Sequence, residues 1–158
     1  MKHCVRNWMS KYPVKIDQYE DVKTAKLLMR QEAIRHVLII DSGNLSGVLS
    51  ERDIELADSI RLKFKGEENK AIKLNVGDLI SRYPATISAE MSMIEALKEL
   101  ANKNLRSLPV VDSTGVVCGI LTETDVLRYA VVVAQNSEFE SLQKGWEVES
   151  SGTLTSKN

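Results

Sequence analysis

Two histidines and two cysteines are all that this 158-residue chain offers to chemistry that needs an imidazole or a thiolate. His3 and His36 fall at unrelated places, so no Ser-His-Asp or Cys-His constellation can be assembled, and an enzyme is not the expectation. Cys4 and Cys118 are too few for a disulfide framework or a zinc site, and no metal-ligand spacing is present. Cys118, between Val117 and Gly119, reads as a small buried strand residue. No apolar run approaches the roughly 20 residues of a membrane helix, and Lys2, Arg6 and Lys11 interrupt the N-terminal stretch where a signal peptide would be apolar. Charge of one sign is lacking too. The 21 Lys and Arg nearly balance 22 Asp and Glu, which excludes the basic excess of a dedicated nucleic-acid binder. A cytoplasmic protein with no membrane and no nucleic-acid partner is expected.

What the chain does have is a repeat. Val5 through Ser42 lies over Val76 through Ser113 without a gap. After one inserted residue, Gly43 through Ala57 lies over Gly115 through Tyr129. Each copy ends in a small hydroxyl residue followed three positions later by aspartate, Ser50 and Asp53 in the first and Thr122 and Asp125 in the second. A duplicated unit of about 55 residues buries little surface alone, so the two copies are expected to share one core.

Each copy reads as the same series of elements. Tyr12-Pro13 and Tyr83-Pro84 precede extended stretches at Val14 to Ile16 and Ala85 to Ile87. A helix follows, capped by Asp21 in one copy and by Ser92 with Glu95 at capping-box spacing in the other. Val22, Ala25 and Met29, matched by Met93, Ala96 and Leu100, line its apolar face. The runs Val37 to Ile40 and Leu108 to Val111 are short and rich in β-branched residues, as buried strands are. Turn residues at Asp41 to Asn44 and Asp112 to Gly115 lead into strands at Leu45 to Leu49 and Val117 to Leu121. Ser50 and Thr122 then cap a second helix, with Ile54 and Ala57, or Val126 and Ala130, on its apolar face. The fold class is α/β, a β-α-β-β-α unit used twice, with 1–60 as the first repeat, 61–75 as linker and 76–135 as the second repeat. Residues 136–158 read as a polar, mobile tail in which Trp146 stands out. Between the copies, Arg61, Lys63, Lys65, Lys70 and Lys73 face Glu67 and Glu68 in composition. A solvated stretch whose first part extends the helix to Gly66 is one reading, and a basic flap over a phosphate is the other.

The Val-x-x-x-Met/Ile-Ser openings, the Tyr-Pro pairs, Arg35-His36-Val37 and Arg106-Ser107-Leu108-Pro109-Val110, and Gly47-x-x-Ser50-x-x-Asp53 with Gly119-x-x-Thr122-x-x-Asp125 together resemble the cystathionine-β-synthase (CBS) domain. Two in tandem resemble a Bateman module, over residues 5 to about 130. One departure is Leu38, where the family usually has the proline found at Pro109. The resemblance implies two repeats packed sheet to sheet about a pseudo-twofold axis. It also implies a regulatory sensor of AMP, ADP, ATP or S-adenosylmethionine, needing no cofactor, forming a homodimer and signalling to a client enzyme or transporter. By the same resemblance one cleft would draw Thr122 and Asp125 together with Lys15, Ile16, Arg35 and His36. The other would draw Ser50 and Asp53 together with Thr86, Ile87, Arg106 and Ser107. The first holds more positive charge and is the expected site for a nucleotide with two or three phosphates. The chemistry is apt, because a carboxylate accepts hydrogen bonds from ribose hydroxyls and a helix start offers N–H groups to phosphate. The alternative function is a dimerising scaffold whose clefts stay empty. Gly47 and Gly119 mark a close approach either by a ligand or by the neighbouring repeat.

Overall fold

The computed structural model describes residues 3–63, 74–80, 84–135, 146–148 and 154–156. The chain forms two compact units whose limits cut across the sequence copies. Pro13–Pro84 makes the leading unit, and Met1–Tyr12 with Ala85–Asn158 makes the trailing unit. The lysines and glutamates of the stretch at 64–73, and hence the proposed flap, lie outside the described residues.

The opening residues form a 3-10 turn at Val5–Asn7 and strand β1, Ser10–Lys11. The leading unit follows with β2 (Lys15–Asp17), α1 (Val22–Gln31), β3 (His36–Asp41), β4 (Asn44–Ser50) and α2 (Glu51–Lys63). Its sheet has the order β2-β3-β4, with β2 parallel and β4 antiparallel to β3. A 3-10 turn at Val76–Asp78 precedes the trailing unit's β5 (Ile87–Ser88), α3 (Met93–Asn102), β6 (Ser107–Val111), β7 (Val117–Thr122) and α4 (Glu123–Gln135). There the order is β1-β7-β6-β5. The β-α-β-β-α series is present twice, in an α/β fold.

Local chemistry accounts for the element ends. Asp21 accepts from the Lys23 N–H at 2.8 Å to start α1. Ser92 and Glu95 form a full capping box at α3, and the Ser92 hydroxyl and N–H hold the Glu95 carboxyl below its usual range. Ser42 and Gly43 both have positive φ, the geometry of a tight hairpin turn that an Asp-Ser-Gly-Asn run favours.

The two openings are exchanged between the copies. Val5 N–H donates to Met91 O at 2.9 Å and Met93 N–H to His3 O at 2.7 Å, tying the first copy's opening to the second copy's β5–α3 connection. The equivalent bonds tie Val76 N–H to Glu20 O at 2.9 Å and Val22 N–H to Leu74 O at 3.1 Å. Val5 and Val76 are both fully buried, each worth about 1.5–3 kcal/mol of burial to the core it joins. Among the described residues the buried apolar side chains gather in two clusters, one in each unit. One gathers Ile16, Val22, Ala25, Met29, Val37, Ile39, Leu49, Ile54 and Val76. The other gathers Val5, Met9, Ile87, Met93, Leu108, Val110, Leu121 and Tyr129 with their neighbours. Each copy lacks the apolar segment that seals its own helix and sheet, and takes it from the other.

The exchange also explains the two strand glycines. A Cβ at Gly47 would lie 2.5 Å from Ile80 Cδ1 and 2.9 Å from its Cβ, and one at Gly119 would strike Met9. The close approach is by chain, from the exchanged openings.

Two local expectations change, and the tail adds a finding. The buried stripe of α4 is Asp125, Tyr129 and Val133, while Val126 packs only partly against the core and Ala130 is half-buried, because Tyr129 takes the inward position against Trp8 and His3. Cys118 lies in β7 as expected but is half-buried. The tail contains an antiparallel pair, β8 (Trp146–Val148) and β9 (Leu154–Ser156), with Trp146 opposite Ser156 and β9 touching α3. Its bulky and β-branched residues suit strand geometry, and a two-stranded hairpin, marginal alone in water, gains support from a helix.

Candidate functional site

Each unit has a corner where the β-hairpin hands over to the following helix, and the Ser/Thr-x-x-Asp residues sit there. In the leading unit His36 pairs with Ser50 at the open end of the hairpin, and Glu51 N–H donates to Arg35 O at 2.9 Å. Ser50 is thereby the residue before α2, and Asp53 falls in the first helical turn, where the helix dipole favours a carboxylate. Asp53 Oδ2 accepts from the Ser50 N–H at 2.9 Å and from its hydroxyl at 2.6 Å. Asp53 N–H in turn reaches Ser50 Oγ at 3.3 Å. All three bonds belong to the helix cap, and the two that reach the carboxylate engage the same oxygen. Oδ1 accepts from no described residue, and Asp53 is half-buried.

The trailing unit builds the same corner. Ser107 pairs with Thr122, Glu123 N–H donates to Arg106 O at 3.1 Å, and Asp125 Oδ2 accepts from the Thr122 N–H at 2.9 Å and hydroxyl at 2.8 Å. Here the other oxygen is covered. Oδ1 faces the Ser10 hydroxyl at 3.4 Å and Arg128 Nη1 at 3.3 Å, and Asp125 is 1% exposed. Strand β1, paired with β7 through Ser10–Ile120, delivers that serine. Arg106 is exposed and stands 3.9 Å from Glu123.

The residues expected to share a cleft are divided between the units. Thr122 and Asp125 belong to the trailing unit, while Lys15, Ile16, Arg35 and His36 belong to the leading one. For Ser50 and Asp53 the division with Thr86, Ile87, Arg106 and Ser107 is the reverse. Within one unit, the structure joins each Ser/Thr-x-x-Asp to the arginine of its own copy through the paired strand ends. Ile16 and Ile87 lie on the edge strands β2 and β5 with their side chains in the cores, so their backbones are what face outward. Lys15 and Thr86 are exposed, and His36 and Ser107 are half-buried.

The edge strands are not equal. Lys15 pairs with Leu38, and Leu38 N–H donates to Val14 O at 2.9 Å. Pro109 occupies the equivalent position and has no N–H, so β5 begins one position later and Thr86 falls outside it.

Sequence reasoning missed Ser10 and Arg128. The spacing of Arg128 three residues after Asp125 on a helix was a readable sign of an ion pair. Nothing in the sequence aligns Ser10 with Asp125, because that contact depends on β1 pairing with β7.

Comparison with known proteins agrees with the corner-by-corner equivalence. The CBS domain family model matches residues 5–58 and 76–132. A CBS domain-containing protein of Dictyostelium discoideum is 29% identical over 141 residues, covering 85% of this chain and 96% of that protein. The Arabidopsis thaliana CBS domain-containing protein CBSX1 is 31% identical over 137 residues, 85% of this chain and 55% of its own length. The crystal structure of CBSX2 in complex with AMP superposes with a TM-score of 0.67 at 27% identity, covering 84% of this chain and 98% of that one. A CBS domain pair solved with 5′-methylthioadenosine and S-adenosylmethionine shares the fold at 24% identity and a TM-score of 0.67, over 80% of this chain and 98% of that one. The chain belongs to the CBS-domain family and carries two CBS repeats.

Proposed function

We propose that the protein is a regulatory module that binds an adenosyl ligand, AMP, ADP, ATP or S-adenosylmethionine, and reports its level to a client enzyme or transporter. The observation that carries this reading is the half-buried Asp53 corner. Its carboxylate is fixed through Oδ2 by the cap, and Oδ1, which accepts from none of the described residues, is suited to accept from a ribose hydroxyl. The AMP complex of CBSX2 supports the choice of ligand class. In this reading Ser50 and Asp53, and Thr122 and Asp125, hold the ribose. The edge-strand backbones at Ile16 and Ile87 meet the base. Lys15, Arg35 and His36 on one side, and Thr86, Arg106 and Ser107 on the other, face the phosphates. The module acts without catalysis, in the cytoplasm, and no helix among the described residues is long and apolar enough to cross a membrane. A homodimer completes the reading, supported by Leu127 and Val131, which stand 66% and 56% exposed one helical turn apart on α4.

Thermal melting with a panel of AMP, ADP, ATP, S-adenosylmethionine and adenosine tests it. A true ligand at a hundredfold excess over its dissociation constant stabilises the native state by about 2.7 kcal/mol. Melting that no member of the panel changes would leave the scaffold reading.

A further inference from the structure

The two corners share a backbone frame, and one of them carries a competitor for its own ligand. We infer that Ser10 and Arg128 form an internal latch on Asp125 that lowers the affinity of the trailing unit's corner for a ribose, leaving Asp53 as the stronger ribose acceptor. This rests on the ribose-binding reading of the two corners, and it reverses the order that counting positive charges around the clefts implies.

Three observations carry it. First, Oδ2 of both aspartates is committed to the helix cap, so Oδ1 is the oxygen through which either could bind a hydroxyl donor. Second, Oδ1 of Asp125 already faces two donors, the Ser10 hydroxyl and the Arg128 guanidinium, the same hydrogen-bonding function a ribose hydroxyl would supply. Third, Asp125 is 1% exposed whereas Asp53 is half-buried. A ligand at Asp125 must therefore displace both groups before it gains its own bonds.

The latch is displaceable. Its two contacts, 3.4 and 3.3 Å, are at the long end of hydrogen-bonding range, and the Arg128 side chain is 60% exposed, so opening it costs a modest amount compared with breaking the cap. Leu56 stands where Arg128 does, so the leading unit lacks the guanidinium half of the latch, while Ser81, which the repeat aligns with Ser10, lies outside the described residues. The trailing corner is then a conditional site, filled at higher ligand concentration than the leading one.

The test uses adenosine, which has no phosphate to interact with Arg128, titrated calorimetrically into the full chain. In an Asp53→Ala background only the trailing corner remains. There, adding Ser10→Ala and Arg128→Ala is expected to tighten adenosine binding about tenfold, as removal of two weak competing bonds would. Adding Asp125→Asn to that protein is expected to abolish the gain. Ser10 is exposed on a two-residue edge strand and Arg128 is exposed on α4, so both truncations leave the core intact. Circular dichroism checks the fold of each variant. No gain, a loss, or a gain that survives Asp125→Asn overturns the latch while adenosine binding by the parent keeps the ligand reading. Adenosine binding by none of the proteins, the parent included, overturns both.

Discussion

The leading and trailing units are built from one repeated sequence plan, and they differ where single residues change what the backbone can do. Leu38 supplies an N–H that extends β2 to Lys15, whereas Pro109 supplies none and shortens β5. Ala33 and Asn104 end the first helix of each unit in the left-handed region, at φ of 52° and 51°, but only asparagine tolerates it well. Asp53 and Asp125 cap the second helix with the same oxygen, yet Arg128, replaced by Leu56 in the leading unit, reaches the other oxygen of Asp125. Pseudo-symmetry fixes the frame of a site, and edge residues outside its motif decide how available it is.

The comparison can be broken at its strand edge. Leu38→Pro should convert the leading edge to the trailing pattern, losing the bond to Val14 and a fully buried leucine side chain, at about 2–4 kcal/mol in urea unfolding. Unchanged stability would show that the extra pair at Lys15 contributes nothing. A smaller effect is expected at the exchanged openings. Gly47→Ala forces a methyl against Ile80 Cβ, which is held close to its backbone, and should cost about 1–3 kcal/mol. Gly119→Ala should cost less, since Met9 can swing its flexible side chain aside. Equal losses at the two glycines would contradict that ordering.

Ala33→Gly should stabilise the protein by about 0.5–1 kcal/mol, because relief of the left-handed strain exceeds the added freedom of the unfolded chain. Asn104→Gly should gain less, and a stabilisation as large at 104 as at 33 would remove the distinction. The smallest effect is one of pH. Glu95 titrates below the usual carboxylate range because Ser92 donates to it, so its stabilising contribution is complete above the unfolded value and disappears as pH falls through the lower folded value. Ser92→Ala removes the hydroxyl donor and should move Glu95 up toward the ordinary range in a carboxyl NMR titration, the backbone N–H still donating. A Glu95 midpoint that does not move would disprove the box as the cause.

Much of this was legible in the sequence, for identifiable reasons. Helix faces such as Val22, Ala25 and Met29, the caps at Asp21 and Ser92, and the buried strand runs follow from local periodicity and short-range hydrogen bonding. The Ser/Thr-x-x-Asp corners were legible because they recur. The exchange of the openings was not, since Val5 and Val76 each have the same apolar character whichever core they enter. Nor was the inward turn of Tyr129, which depends on Trp8 and His3 arriving from far along the chain. Ser10 escaped for the same reason: its role is set by a strand pairing between residues more than a hundred positions apart.

The most direct test of the account is the melting temperature of the parent and of Asp53→Ala, each with and without AMP at a concentration chosen to be about a hundred times the parent's dissociation constant. The account predicts a clear upward shift for the parent, about 2.7 kcal/mol of stabilisation. It predicts a much smaller shift for the variant, whose affinity at that corner should fall about ten- to a hundredfold with the loss of a charged acceptor. A parent whose melting is indifferent to AMP and to every other adenosyl compound, or an Asp53→Ala protein stabilised as strongly as the parent, would contradict it.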